Sequence, residues 1–74
     1  MMIGNRLRDL REKKSITQAQ IAEQLGITQG AVSQWESGVT NPSISTISKL
    51  SVILGCTVDE LLGITKTPDR SGQA

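Results

Sequence analysis

The chain has no histidine, one cysteine (Cys56), no phenylalanine and no tyrosine, and Trp35 is its single aromatic residue. Without histidine, Ser–His and Cys–His nucleophiles have no base, and a Cys/His metal site has no imidazole ligand. One cysteine excludes an internal disulfide and leaves Cys56, set in an apolar stretch, to be read as a small buried hydrophobe. A lone tryptophan is a poor platform for stacking unpaired bases, which needs several exposed rings. No apolar run approaches the roughly 18–20 residues required to cross a bilayer. The opening Met-Met-Ile-Gly-Asn-Arg also lacks the charged-then-apolar order of a signal peptide. The expectations are no catalytic residue, no metal, no cofactor, no membrane, and a cytoplasmic location.

Basic residues are missing where a polyanion binder would be expected to keep them. Residues 15–48 contain neither lysine nor arginine and carry a net charge of −2, whereas residues 1–14 carry +3 and the whole chain only +1. A general positive field is therefore not what this molecule offers a partner. At 74 residues and 7.9 kDa it is one small domain. Such a chain buries roughly 60–65% of its unfolded surface, so stability must come from tidy helix packing or a partner subunit.

What is present is a run of helix signals. Ile3, Leu7 and Leu10 form one apolar stripe on a helix over about residues 3–13, which Ser15-Ile16 interrupts. Thr17-Gln18-Ala19-Gln20 reads as a capping box, stapled by Ile16 and Ile21, and the helix it opens stops at Gly26. Thr28 caps a third helix over about 29–37, flanked by Ile27 and Val32 and ended by Gly38. After the loop Val39-Thr40-Asn41-Pro42, Ser43 can cap a fourth helix bearing Ile44, Ile47, Leu50, Ile53 and Leu54 and stopped by Gly55. Thr57-Val58-Asp59-Glu60 is a second capping box, opening a short fifth helix that ends near Gly63. No segment alternates with the period of a strand. The spacing predicts an all-α domain over residues 1–63, followed at 64–74 by a flexible C-terminal tail of Lys, Thr, Pro, Ser and Gly character.

The turn Gly26-Ile27-Thr28 is too short for its two helices to run antiparallel, so they must cross steeply, as in a helix-turn-helix unit. That crossing needs a small residue at the contact (Ala22), a glycine in the turn (Gly26) and apolar residues inside the angle (Ile21, Leu25, Ile27, Val32, Trp35). These residues, together with Thr28 through Gly38, Asn41-Pro42-Ser43 and Cys56 through Leu62, resemble the lambda-repressor-like, Cro/XRE-type helix-turn-helix family. The resemblance covers nearly the whole folded part and implies a compact five-helix domain whose second and third helices form the motif.

The resemblance further implies that the third helix enters the DNA major groove by its N-terminal end while the second crosses the backbone, a docking geometry documented for phage repressors and Cro. With Ala31, Val32 and Trp35 inward, Gln29, Gly30, Ser33 and Gln34 are left outward. Glutamine can bond bidentately to adenine and serine to either kind of edge, so Gln29 is the foremost candidate base reader, supported by Ser33 and Gln34. Gly30 leaves a gap that either a close backbone approach or a thymine methyl would fill. The other reading of these side chains is an ordinary solvated face. Gln18, Thr28, Asn41 and Ser43, with Thr17, are the candidate phosphate contacts, because helix starts offer backbone N–H groups and a positive dipole end without any lysine. Arg8, Lys13 and Lys14 of the first helix could flank the groove. Arg11 and Glu36 occupy positions where some phage relatives pair an arginine with a glutamate.

The family implies a sequence-specific regulator of transcription, a repressor in the first instance, acting as a homodimer on a palindromic double-stranded DNA operator. Two reading helices about 34 Å apart roughly square the discrimination of one. The expected dimer seam is Leu61, Leu62 and Ile64, with Val52, an apolar surplus near the C-terminus. A chain of one domain fits a stand-alone Cro-like regulator or an antitoxin, unless it is a fragment. The rival expectation is an antitoxin-type interaction module that masks a toxin, with DNA binding secondary.

Overall fold

In the computed structural model, residues 3–63 are described; Ile64 and the expected tail over 64–74 lie outside them. The described residues form five helices: α1 (Gly4–Lys13), α2 (Gln18–Leu25), α3 (Gln29–Ser37), α4 (Ile44–Leu54) and α5 (Val58–Leu62). No strand occurs among them, and none is long and apolar enough to cross a membrane.

Short-range hydrogen bonding explains where four of the helices begin. The Thr17 hydroxyl accepts from the Gln20 N–H at 3.0 Å while the Gln20 side chain accepts from the Thr17 N–H at 2.8 Å. Thr57 and Glu60 repeat this reciprocal pair with the same two distances. Thr28 accepts from the Ala31 N–H, and Ser43 from the Thr46 N–H. Each such cap contributes about 1 kcal/mol. α1 has no side-chain cap. It also ends differently: the other four helices close on a left-handed glycine, but here Ser15 takes a positive φ of 56°.

The core is a single cluster of Ile3, Leu7, Ile21, Ala22, Val32, Trp35, Ile47, Leu50, Leu54 and Leu61, with Leu10, Ile16, Leu25, Ile53, Cys56, Val58 and Leu62 packed against it. All five helices contribute, which is why helices as short as α5 persist: tertiary burial, not intrinsic propensity, holds them. α2 packs mainly on α3, and α1 bridges α3 and α5.

Two expectations need correction. Leu61 cannot belong to a dimer seam, because its side chain is wholly buried in the subunit's own core. Leu62 is half-buried against the same cluster and Val52 is 80% exposed. Ile27 closes the inside of the α2–α3 angle only in part, being 37% exposed, since the turn carries it past the helix contact. Among the other apolar residues, Ile44 stands in the first turn of α4 and is 71% exposed.

Candidate nucleic-acid interface

α3 is amphipathic in a way that sorts its residues cleanly. Val32, Trp35 and Glu36 are buried and Ala31 is half-buried, while Gln29, Gly30, Ser33, Gln34 and Ser37 are exposed. The steep approach of α2 depends on Gly26, whose φ of 69° is left-handed and costly for any residue with a Cβ. Ala22, 4% exposed, lies at the closely packed inner surface of α2.

The candidate phosphate residues stand at helix starts. Thr17, Thr28 and Ser43 are the exposed caps of α2, α3 and α4, Gln18 is the first residue of α2, and Asn41 is exposed in the α3–α4 loop. Capping uses their hydroxyls as acceptors and leaves the hydroxyl hydrogens of Thr17 and Thr28 available. Ser43 donates its own to Thr46 Oγ1 at 3.0 Å.

Under this surface lies a polar network. Arg11 Nε donates to Glu36 Oε2 at 2.7 Å and Nη2 to Oε1 at 3.1 Å, a bidentate grip that also passes Nη1 to the Ile16 carbonyl at 2.9 Å. Gln18 Nε2 donates to Glu36 Oε1 at 3.0 Å, and Gln29 Nε2 donates to Gln18 Oε1 at 3.4 Å. Arg8 adds a longer ion pair, 3.6 Å from Glu36 Oε1. Burial alone would raise the Glu36 pKa. The hydrogen bonds from Arg11 and Gln18, with the charges of Arg11 and Arg8, outweigh burial and hold the carboxyl below the usual glutamate range. The Glu36 bond likewise pushes Arg11 upward against desolvation. The network therefore stays fully charged at neutral pH.

The remaining cations of α1 are not all turned this way. Arg6 donates from Nε and Nη2 to the Glu60 carbonyl at 3.1 and 3.0 Å, satisfying the end of α5. Lys14 approaches the end of α4: a Cβ on Gly55 would meet its Nζ at 3.3 Å. The Lys14 side chain thus lies beside Gly55, at the end of α4.

Two features escaped sequence reasoning. Gly4 is buried where α1 meets the end of α3, and a Cβ there would stand 2.5 Å from the Glu36 carbonyl oxygen and 2.6 Å from that of Trp35. Gln18 proved to be a link between a buried carboxylate and an exposed glutamine. Nothing in local spacing signals either, since both depend on which helix lies opposite.

A small, helical domain with a glycine-turned helix pair, an outward polar α3 and a buried ion pair fixing its angle defines a class, and comparison agrees. A helix-turn-helix family model matches residues 7–61. The chain belongs to the lambda-repressor-like, Cro/XRE-type helix-turn-helix family. Among solved structures, it is similar to the P22 c2 repressor protein in complex with synthetic operator 9T, with a TM-score of 0.78 and 35% identity over 88% of this chain and 98% of that one. Among curated proteins, it is 40% identical over 96% of its length to the HTH-type transcriptional activator BcrR of Enterococcus faecalis. It is 41% identical over 82% of its length to the SPbeta prophage-derived HTH-type transcriptional regulator YonR of Bacillus subtilis. The chain spans only 38% and 56% of the lengths of those two relatives.

Proposed function

We propose that this chain is a sequence-specific regulator of transcription, a Cro-like repressor that binds double-stranded operator DNA through α3. The observation that carries the reading is the exposure of Gln29, Gly30, Ser33 and Gln34 on a helix whose opposite side, Val32 and Trp35, is locked into the core. The P22 c2 repressor, seen on its operator, supports the same docking for a chain this similar. Gln29 reads a base edge first, with Ser33 and Gln34 behind it, and Gly30 lets the backbone come close or receives a thymine methyl. Gln18, Thr28, Asn41 and Ser43, with Thr17, hold phosphates through hydroxyls, amides and helix starts. The chain acts as a homodimer on a palindromic site, because one short helix reads too few base pairs for useful discrimination. Leu62 and Ile64, with Val52, are the apolar residues proposed for that contact. The role requires no catalysis or cofactor and is one exercised in the cytoplasm.

Selection of bound duplexes from a random pool tests this. The chain should enrich a short, roughly two-fold-symmetric motif, and Gln29→Ala should lose preference at one base pair per half-site. No enriched motif would refute the reading. An operator affinity untouched by Gln29→Ala would favour the toxin-masking alternative.

A further inference from the structure

The buried carboxylate of Glu36 lies below the reading surface and, in the proposed docking, touches no DNA itself. Its side chain is 2% exposed, and each of its oxygens already accepts from Arg11. An ionised carboxylate can only accept hydrogen bonds. Gln18, 3.0 Å away, must therefore present its NH2 group inward, and that turns its carbonyl oxygen outward. Gln29, whose amide faces that oxygen at 3.4 Å, must in turn present its own NH2 to Gln18. The donor end of the Gln29 amide is thereby placed on the Gln18 side and its acceptor end away from it.

We infer that Glu36 is a specificity-determining positioning residue: through Gln18 it sets the donor–acceptor order that Gln29 shows to a base. The inference rests on the proposed reading of duplex DNA. One Nε2–H of Gln29 is used by Gln18, and the second, with Oε1, remains for a base. That ordered pair suits adenine, which offers an acceptor at N7 beside a donor at N6, and it opposes guanine, which offers two acceptors. A glutamine free to turn about its last bond could satisfy either purine in part. The second Nε2–H of Gln18 stays available for a phosphate, so positioning and phosphate contact coexist on one amide.

Replacing the carboxylate by an amide makes a definite prediction. In Glu36→Gln, the new carbonyl must face Arg11, which can only donate. Its NH2 then faces Gln18, and the order of donors and acceptors reverses along the whole chain to Gln29. The test is selection of duplexes from a random pool by the 74-residue chain and its variants, read as the adenine-to-guanine ratio at the position that Gln29→Ala abolishes. Glu36→Gln should lower that ratio about tenfold while preferences at other positions persist. Gln18→Ala, which leaves the ion pair intact, should lower it similarly, even though overall affinity falls as well. Circular dichroism establishes which variants are folded, and Gln18→Ala decides the matter if Glu36→Gln is not. A folded Gln18→Ala that retains the full adenine preference overturns the positioning role. A wild-type chain that selects no duplex overturns the DNA reading beneath it.

Discussion

Arg11 Nε stands 2.7 Å from Glu36 Oε2, and this contact ties the last turn of α3 to α1. The same guanidinium reaches the Ile16 carbonyl, so one side chain fixes α1, the turn into α2 and the end of the exposed helix. Both charges are largely removed from water, with side-chain exposures of 13% and 2%. Breaking such a pair costs far more than its net contribution, because the remaining charge stays buried without a partner.

Arg11→Met should therefore destabilise the domain by about 3 kcal/mol, with a fall in Tm of roughly 10–20 °C. The double variant Arg11→Met, Glu36→Met should recover most of that loss. Thermal unfolding of the three proteins checks it; a single-variant loss below about 1 kcal/mol would show that the pair behaves like a surface contact.

Acid should loosen the same joint. Glu36 holds its proton less tightly when folded than when unfolded, so the unfolded chain takes up the proton first as pH falls. The stabilisation is complete above about pH 5, beyond the ordinary glutamate pKa of about 4.3, and is lost as pH falls through the lower folded value. The Tm gap between wild type and Glu36→Gln should thus be widest near neutrality and shrink below about pH 4. A gap that grows on acidification would contradict the assignment.

Two glycines should respond oppositely to alanine. At Gly4 the added methyl meets backbone oxygens of α3, which cannot yield without moving the helix. Gly4→Ala should cost about 1–3 kcal/mol. At Gly30 the nearest atom is the Thr28 hydroxyl oxygen at 3.8 Å, and the backbone is ordinary helix. Gly30→Ala should leave stability unchanged or raise it by up to about 1 kcal/mol, which denaturant unfolding would register. It should also alter the base preference at the site beside Gln29.

Salt should weaken DNA binding only gently. Residues 15–48 have no cation to release counterions, and Arg6 is committed to the end of α5. A log–log plot of affinity against salt should have a slope well short of about −8, since each phosphate neutralised by a cation contributes about −0.9. A slope of −8 or steeper would show that lysines and arginines carry the binding.

The helix starts were legible because they depend on residues three apart: Thr17 with Gln20, and Thr57 with Glu60, bond to each other whatever else the chain does. The outward face of α3 was legible too, since helical periodicity places Gln29, Ser33 and Gln34 opposite the Val32 and Trp35 side. Leu61 was misread for a physical reason. Spacing identifies apolar residues, but it does not say whether a neighbouring element of the same subunit reaches them. Arg6 bonds a carbonyl 54 positions away, and no local pattern announces such a partner.

The order of residues alone determined five amphipathic segments, their caps and the glycine turn between α2 and α3, because those follow from bonds and steric limits within a few positions. Only the folded arrangement decided which cations serve helix ends, that Gly4 must have no side chain, and that Glu36 reaches Gln29 through Gln18. Those outcomes depend on distances between helices remote in the chain, and such distances are set by how the whole core packs at once.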